Sequence, residues 1–346
     1  MTILQNAGGA TASAPAIGAL NASGQSAGSS GSISGGGDAV LWSATGAATK
    51  LADVGGLNAS QALAINAAGQ SVGTSIAAGD VQYAVLWSAT GAATKLADEG
   101  GQNESQAVAI NASGQSVGIS YTASGGDAVL WSSTGAATKL ADVGGKNLSE
   151  AVAINASGQS VGSSLTANGV DAVLWSSTGA ATKLADVGGQ NLNTVNAINA
   201  SGQSAGESFT ANGPDAVLWS STGAATKLAD VGGQNRSDAL AINASGQSVG
   251  FSVTANGYDA VLWSSTGTGT DLAALLGPGW SFTEAVAIND QDDILGFGTR
   301  NGSVSGFLLT PSASPVPEAS TWAMLLAGFG GLGWRAARRK RKATLA

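Results

Sequence analysis

The sequence predicts an all-β fold, a seven-bladed β-propeller of four-stranded antiparallel blades, and three observations predict it. The stretch AVAINASGQSVGSSLTANGVDAVLWSSTGAATKLADVGGQN, from Ala151, recurs almost unchanged six times, and a worn seventh copy follows. Its AVLW tryptophans are Trp42, Trp87, Trp131, Trp175, Trp219 and Trp263, spaced 45 residues once and 44 thereafter. A fixed period in that range marks a repeat architecture. Each copy also reads as four short strands, and the two ends of the array complement each other. Radially arranged four-stranded units of this length are what a propeller needs.

Composition agrees. Of 346 residues, 43% are hydrophobic, only 10% are charged and 52 are glycine, a mix suited to tight β-turns rather than to helices or a charged disordered chain. There is no cysteine and no histidine. That excludes disulfides, thiolate nucleophiles, the Ser-His-Asp triad and the commonest zinc ligand. The net charge of −8 conceals an asymmetry. Residues 1–317 hold 21 acidic and 8 basic side chains, while six basic residues crowd the C-terminus. So acidic a body repels nucleic acid, which is not an expected partner, and anionic membranes.

The elements follow in chain order. The start, MTILQNAGGATASAP, has no basic or apolar leader region and does not read as a secretory signal. Thr2-Ile3-Leu4 with Gly8-Gly9 instead matches the end of a repeat, such as Thr49-Lys50-Leu51 with Gly55-Gly56. It reads as the last strand of a unit whose other strands lie elsewhere. In the fourth unit the first strand runs from Val152 to Asn155. Ala156-Ser157-Gly158 turns the chain, with Gly158 at a φ > 0 position. The second strand is Gln159 to Ser164, with Val161 inward. A variable loop leads to the third strand, Ala172 to Trp175; Ser177-Thr178-Gly179 turns, and the fourth strand is Ala181 to Leu184. Period-2 alternation puts Val152 and Ile154 on one face, and Val173 and Trp175 on another.

The worn seventh unit, Glu284 to Pro311, has Asp292 in place of the turn glycine and Phe307-Leu308-Leu309 in place of AVLW. No fourth strand follows it. The spare N-terminal strand would complete that blade and close the ring, removing sheet edges open to aggregation. The alternative is an open β-solenoid, whose ends have no reason to match. The expected domains are a repeat propeller at residues 1–311, a polar linker at 312–317 and a C-terminal segment at 318–346.

The C-terminal end, from the close of the linker onward, has three parts: Val316-Pro317-Glu318-Ala319, an apolar glycine-rich run, and the basic cluster Arg335, Arg338, Arg339, Lys340, Arg341 and Lys342. From Thr321 to Ala337 is 17 residues, about 25 Å as a helix, against about 30 Å for a bilayer core. Trp322 and Trp334 at the interfaces and snorkelling arginines would make up the difference. The basic end would stay cytoplasmic and leave the body outside. The segment resembles the PEP-CTERM sorting signal, with Ala319 where that motif has its second proline. The resemblance implies export, transient anchoring in the inner membrane and processing near the motif by an exosortase, a membrane protease-transpeptidase. It also implies a bacterial host that makes exopolysaccharide. The repeats, with AINASGQSVG and Asp171-Ala172-Val173, resemble the HAF-type extracellular repeat, whose His-Ala-Phe is replaced here. An exported body needs a leader, so the expected true start lies upstream.

Each candidate site residue also admits a structural role. Asp38, Asp127, Asp171, Asp215 and Asp259 stand four residues before a signature tryptophan; Asp53, Asp98, Asp142, Asp186 and Asp230 stand two before a Gly-Gly pair. They could hold Ca²⁺ or sugar, one set per blade, but capping of turn N–H groups explains their repetition better. Asn289-Asp290-Gln291-Asp292-Asp293 resembles a Ca²⁺ loop without its glycine and final glutamate, and reads as a worn turn. Asn111-Ala112-Ser113 fits a glycosylation sequon and equally the turn. Tyr121, Glu207, Phe251 and Tyr258 depart from the repeat and could shape a binding face. Near-identical blades make an asymmetric catalytic constellation hard to build. The expectation is therefore a non-catalytic, exported surface or matrix protein without metal or cofactor. Its expected partners are an exosortase and, as candidate ligand, exopolysaccharide. A multivalent lectin-like propeller is the alternative, and a propeller hydrolase or lyase stands third.

Overall fold

A computed structural model describes residues 13–32, 35–255 and 257–311. The chain divides into two units, Met1–Leu309 and Thr310–Ala346, and nearly all the described residues belong to the first. They fold into 27 strands, all paired antiparallel, in six four-stranded sheets and one three-stranded sheet. In chain order the sheets span 13–50, 56–95, 104–139, 149–183, 193–227, 237–271 and 280–309, and are numbered 1 to 7. Strands within a sheet pair in sequence order, so every sheet is a meander. One four-residue helix, Ala273–Leu276, links sheets 6 and 7 and was not foreseen.

Sheet 4 shows how one copy of the repeat folds. Its strands are Ser149–Ile154, Ser160–Thr166, Gly169–Trp175 and Ala181–Lys183. The first turn is closed by Gly158 N–H donating to the Asn155 carbonyl at 3.1 Å, with Gly158 at φ 81° as the tight loop requires. Sheet 7 keeps the turn with Asp292 at φ 62°. Strand alternation holds for Val173 and Trp175, which share a core. It fails in the first strand. The register slips between Ala151 and Ala153, so Val152 is an extra, bulged residue. Ala151 and Ile154 therefore face one core and Ala153 the next, correcting the expected pairing of Val152 with Ile154. The bulge drives the Glu150 carbonyl against Gly162. A Cβ there would lie 1.9 Å from that oxygen, which explains the glycine at this point of the repeat.

The core lies between sheets. Val161, Leu174 and Leu184 of sheet 4 pack on Val195, Val217 and Trp219 of sheet 5, and homologous residues do so at each junction. Each signature indole is fully buried. At roughly 25 cal/mol per Å² of apolar area, one such tryptophan stabilises its junction by several kcal/mol. Polar bonds fix the register between sheets. The Trp131, Trp175, Trp219 and Trp263 indole N–H groups donate to the Ala97, Ala141, Ala185 and Ala229 carbonyls at 2.7–2.8 Å.

A second ladder uses the asparagine of each AINASGQ turn. Its Nδ2 donates to the backbone carbonyl of the equivalent asparagine in the next sheet. The chain runs Asn21, Asn66, Asn111, Asn155, Asn199, Asn243, Asn289, with distances from 3.0 to 3.4 Å. Asn111 is only 5% exposed, which suits the turn reading of its sequon. Asp292 and Asp290 join the ladder in sheet 7, accepting from Asn243 Nδ2 at 3.0 Å and Ala244 N–H at 2.8 Å.

The two ends of the array differ. Val40 and Trp42 of sheet 1 are fully buried, and the hydrophobic side chain packed on them among the described residues is Ala48. Leu295, Phe297 and Leu308, on the far face of sheet 7, are exposed. The closing strand read at Thr2-Ile3-Leu4 lies outside the described residues.

Candidate functional site

The repeated aspartates take part in a clamp built from three elements. Asp38, Asp127, Asp171 and Asp215, on third strands, pair with Lys50, Lys139, Lys183 and Lys227 on the neighbouring fourth strands at 2.7–2.9 Å. Each ammonium also stands 3.6–3.9 Å from the second aspartate of its unit, Asp53, Asp142, Asp186 or Asp230. That second carboxylate reaches the next sheet. Ser105 donates to Asp98 at 3.1 Å, Ser149 to Asp142 and Ser237 to Asp230 at 2.7 Å, and Asn193 Nδ2 to Asp186.

These partners replace the expected caps on turn N–H groups. Asp38 holds the Lys50 ammonium above its usual range, mainly through their hydrogen bond. A carboxylate so neutralised is a poor ligand for Ca²⁺. Among the described residues no cluster of three metal-ligating side chains occurs. Sheet 2 has Tyr83 in place of the first aspartate, and Lys95 sits 3.5 Å above its ring. Sheet 6 has Asp271 in place of the lysine, where it accepts from Ala273 N–H at 2.7 Å.

The repeat breaks down on the first strands. One position there reads Gln61, Gln106, Glu150, Thr194, Asp238, Glu284 across sheets 2 to 7, opposite Thr74, Ile119, Ser163, Glu207, Phe251 and Phe297. Asp238 is pushed up to about 8, first by burial and then by the Glu207 and Glu284 charges. Asn196 Nδ2, donating to Asp238 Oδ1 at 2.9 Å, opposes the shift. Burial also raises Glu207, against the pull of Arg236, and raises Glu150 and Glu284. Asp238 thus favours its protonated form at neutral pH, with the Glu207 charge among the causes. Of these groups sequence reasoning had singled out Glu207 alone. The signal for the others was the Gln/Glu/Thr/Asp variation in an otherwise constant column.

A cleft of about 290 Å³ opens between sheets 3 and 4, lined by Ile119, Tyr121, Leu148, Glu150, Leu165 and Val170 with Ser149 and Ser163. Tyr121, read from sequence as a departure from the repeat, forms one wall. Phe251 and Tyr258, also departures, pack edge to face with centroids 5.0 Å apart in sheet 6.

The sorting residues Val316, Pro317, Glu318 and Ala319 lie outside the described residues. So do Trp322, Trp334 and the basic cluster Arg335, Arg338, Arg339, Lys340, Arg341 and Lys342. The anchoring helix expected at Thr321 to Ala337 also falls outside the described residues. Among the described residues no helix is long and apolar enough to cross a membrane.

Residues 315–342 match the PEP-CTERM protein-sorting motif. That motif implies an exported protein processed by an exosortase and suggests surface sorting. No curated protein matches the sequence. Among solved structures, a prolyl endopeptidase superposes with TM-score 0.58 at 10% identity, over 86% of this chain and 50% of that one. The S511A mutant of puromycin hydrolase, complexed with PGG, superposes with TM-score 0.52 at 13% identity, over 87% and 52%. TolB from Acinetobacter baumannii has TM-score 0.45 and 12% identity, over 70% and 62%. The chain thus spans about half to two thirds of the length of these proteins. At such identities the likeness bears on fold alone: the prolyl endopeptidase neighbour is β-propeller-like.

Proposed function

We propose that this chain is a non-catalytic, exported protein of the bacterial cell surface or exopolysaccharide matrix. A rigid propeller with HAF-type repeats presents its variable loops, and the C-terminal signal delivers it. The observation that carries this reading is the sorting motif at residues 315–342, joined to a body whose repeated aspartates are spent on holding sheets together. The exosortase recognises Val316 to Ala319 while the segment from Thr321 to Ala337 sits in the inner membrane. The test is intact-mass analysis of the exported protein from hosts with and without exosortase. Loss of the segment beyond the motif, only in the host with the enzyme, is the expected result. An intact C-terminus on exported protein in both hosts refutes it.

The same reading takes the seven sheets as seven blades, with Thr2-Ile3-Leu4 as the missing fourth strand of sheet 7. The burial of Val40 and Trp42 supports a cover on the first sheet. On this reading closure would also bury Leu295 and Leu308, as Val161 and Leu174 are buried between sheets 4 and 5.

A second reading, a hydrolase or lyase, is favoured by one observation. Asp238 and Glu207 are carboxylates whose environments differ, as acid–base chemistry requires. Polysaccharide cleavage that disappears in Asp238→Asn and Glu207→Gln would select it.

A further inference from the structure

We propose that the cleft between sheets 3 and 4 is a subsite for one uncharged pyranose ring of a polysaccharide. The surface reading is needed only for access to the polymer.

The cleft exists because a row of side chains along one strand opens outward. Val117 is fully buried, Ile119 is 6% exposed and Tyr121 is 39% exposed. Facing them on sheet 4 are Leu148, Leu165 and Val170, with Glu150 and its cross-strand partner Ser163 beside them. About 290 Å³ is the small end of ligand cavities, room for a single ring rather than an oligomer.

The chemistry is that of a sugar. An aromatic ring beside aliphatic walls offers a surface for the C–H face of a pyranose. A half-buried carboxylate accepts hydrogen bonds from hydroxyl donors, and such charge-assisted bonds are the strong ones. Ser163 can donate or accept. Lipids would leave the carboxylate unpaired, and acidic sugars would meet it head-on. Glu104, paired across from Tyr121, adds a second negative charge beside the mouth. Lys146, two residues before Leu148, is not among the lining residues. The class that fits is therefore a neutral glycan.

Tyrosine with glutamate occurs at this junction. The position of Tyr121 is Ile76 in sheet 2, and Leu165, Phe209 and Val253 in sheets 4 to 6; the position of Glu150 is Thr194, Asp238 and Glu284 in sheets 5 to 7. Phe209 with Asp238 is a counterpart, but that carboxyl already accepts from Asn196 Nδ2 at 2.9 Å. Opposite Tyr121 stands Gly126, where sheets 4 to 6 have Val170, Pro214 and Tyr258. A Cβ at Gly126 would lie 2.6 Å from Ile119 Cδ1 and 3.4 Å from Tyr121 Cε1. The glycine lets both side chains lie down against the strand and form the wall.

The test is titration calorimetry with saturation-transfer NMR on the full chain, using cellohexaose, mannohexaose and hexagalacturonate. At least one neutral hexamer should bind, and hexagalacturonate at least tenfold more weakly. Tyr121→Ala should weaken binding at least tenfold and Glu150→Gln several-fold. Tyr258→Ala, which removes an exposed aromatic in sheet 6, should leave it unchanged. Glu150→Gln gives an independent reading should Tyr121→Ala fold poorly. Silence toward both neutral hexamers, equal affinity for the uronate, or binding indifferent to Glu150→Gln and Tyr121→Ala would overturn the assignment. Each of those results leaves tail processing as a separate question.

Discussion

Lys139→Met tests whether the lysine clamp, rather than turn capping, is what the repeated aspartates are for. Lys139 Nζ lies 2.8 Å from Asp127 and 3.6 Å from Asp142, whose side chains are 4% and 9% exposed. Removing one partner from a buried pair costs about 3–5 kcal/mol, because the other charge stays buried. Exposed pairs are worth about 0.2–1 kcal/mol. Lys139 is itself 36% exposed, so a loss of about 2 kcal/mol is expected. Sheet 2 supplies the control. There Lys95 keeps the second aspartate, Asp98, at 3.8 Å, but in place of the first it sits over the neutral Tyr83 ring, an interaction worth about 0.5–1 kcal/mol at exposed sites. Lys95→Met should therefore cost about half as much.

Native-state hydrogen exchange of strands 125–131 and 137–139 is the assay, since repeat arrays unfold locally and global melts average the effect. Adding Asp127→Asn to Lys139→Met should restore most of the loss. Burial alone would lower the Lys139 pKa, but the Asp127 and Asp142 carboxylates outweigh it and hold the ammonium above its usual 10.5. The clamp is thus fully present below that value and is lost only as pH rises through the higher folded one. Equal losses in the two lysine variants, or no rescue by Asp127→Asn, would refute the reasoning.

Two other perturbations follow from the same bonds. Asp238 titrates near 8 in the fold against 3.8 when free; its contribution is present below the free value and is lost as pH climbs toward the folded one. Asp238→Asn should therefore gain on wild type between pH 4 and 8, by a few kcal/mol at most at about 1.4 kcal/mol per pKa unit. Thermal melts across that window would expose a flat difference if the burial is wrong. Asn155→Ala removes the donor to the Asn199 carbonyl at 3.0 Å and the acceptor for Ser157 and Gln159 N–H. It should cost about 2–4 kcal/mol, with fast exchange confined to sheets 4 and 5. Uniform exchange along the chain would contradict a joint-by-joint ladder.

Most of the architecture was legible because its signals are local. Gly158 marks a left-handed turn, and Val173 and Trp175 alternate as a strand should. Val152 misled because a bulge is set by a neighbouring carbonyl pressed on Gly162, and periodicity carries no trace of that. The aspartates were assigned to caps because the lysine of ATK lies on the next strand, and a ladder pairing joins them across a turn. In hindsight a lysine placed 12 residues after Asp38, Asp127, Asp171 and Asp215 was the clue. Asp238 was passed over because its neighbours come from sheets 5 and 7, which adjoin it only once the chain is folded.

The asparagine chain has a consequence for assembly. Each joint presents the same donors and acceptors, so sheet 3 would find sheet 5 almost as congenial a neighbour as sheet 4. Recognition cannot enforce the order; tether length must. Skipping one unit lengthens the loop to be closed by 44 residues, an entropic penalty of about 2 kcal/mol, and strands a whole sheet with both faces wet. Short connectors, not distinctive surfaces, keep seven near-twins in line.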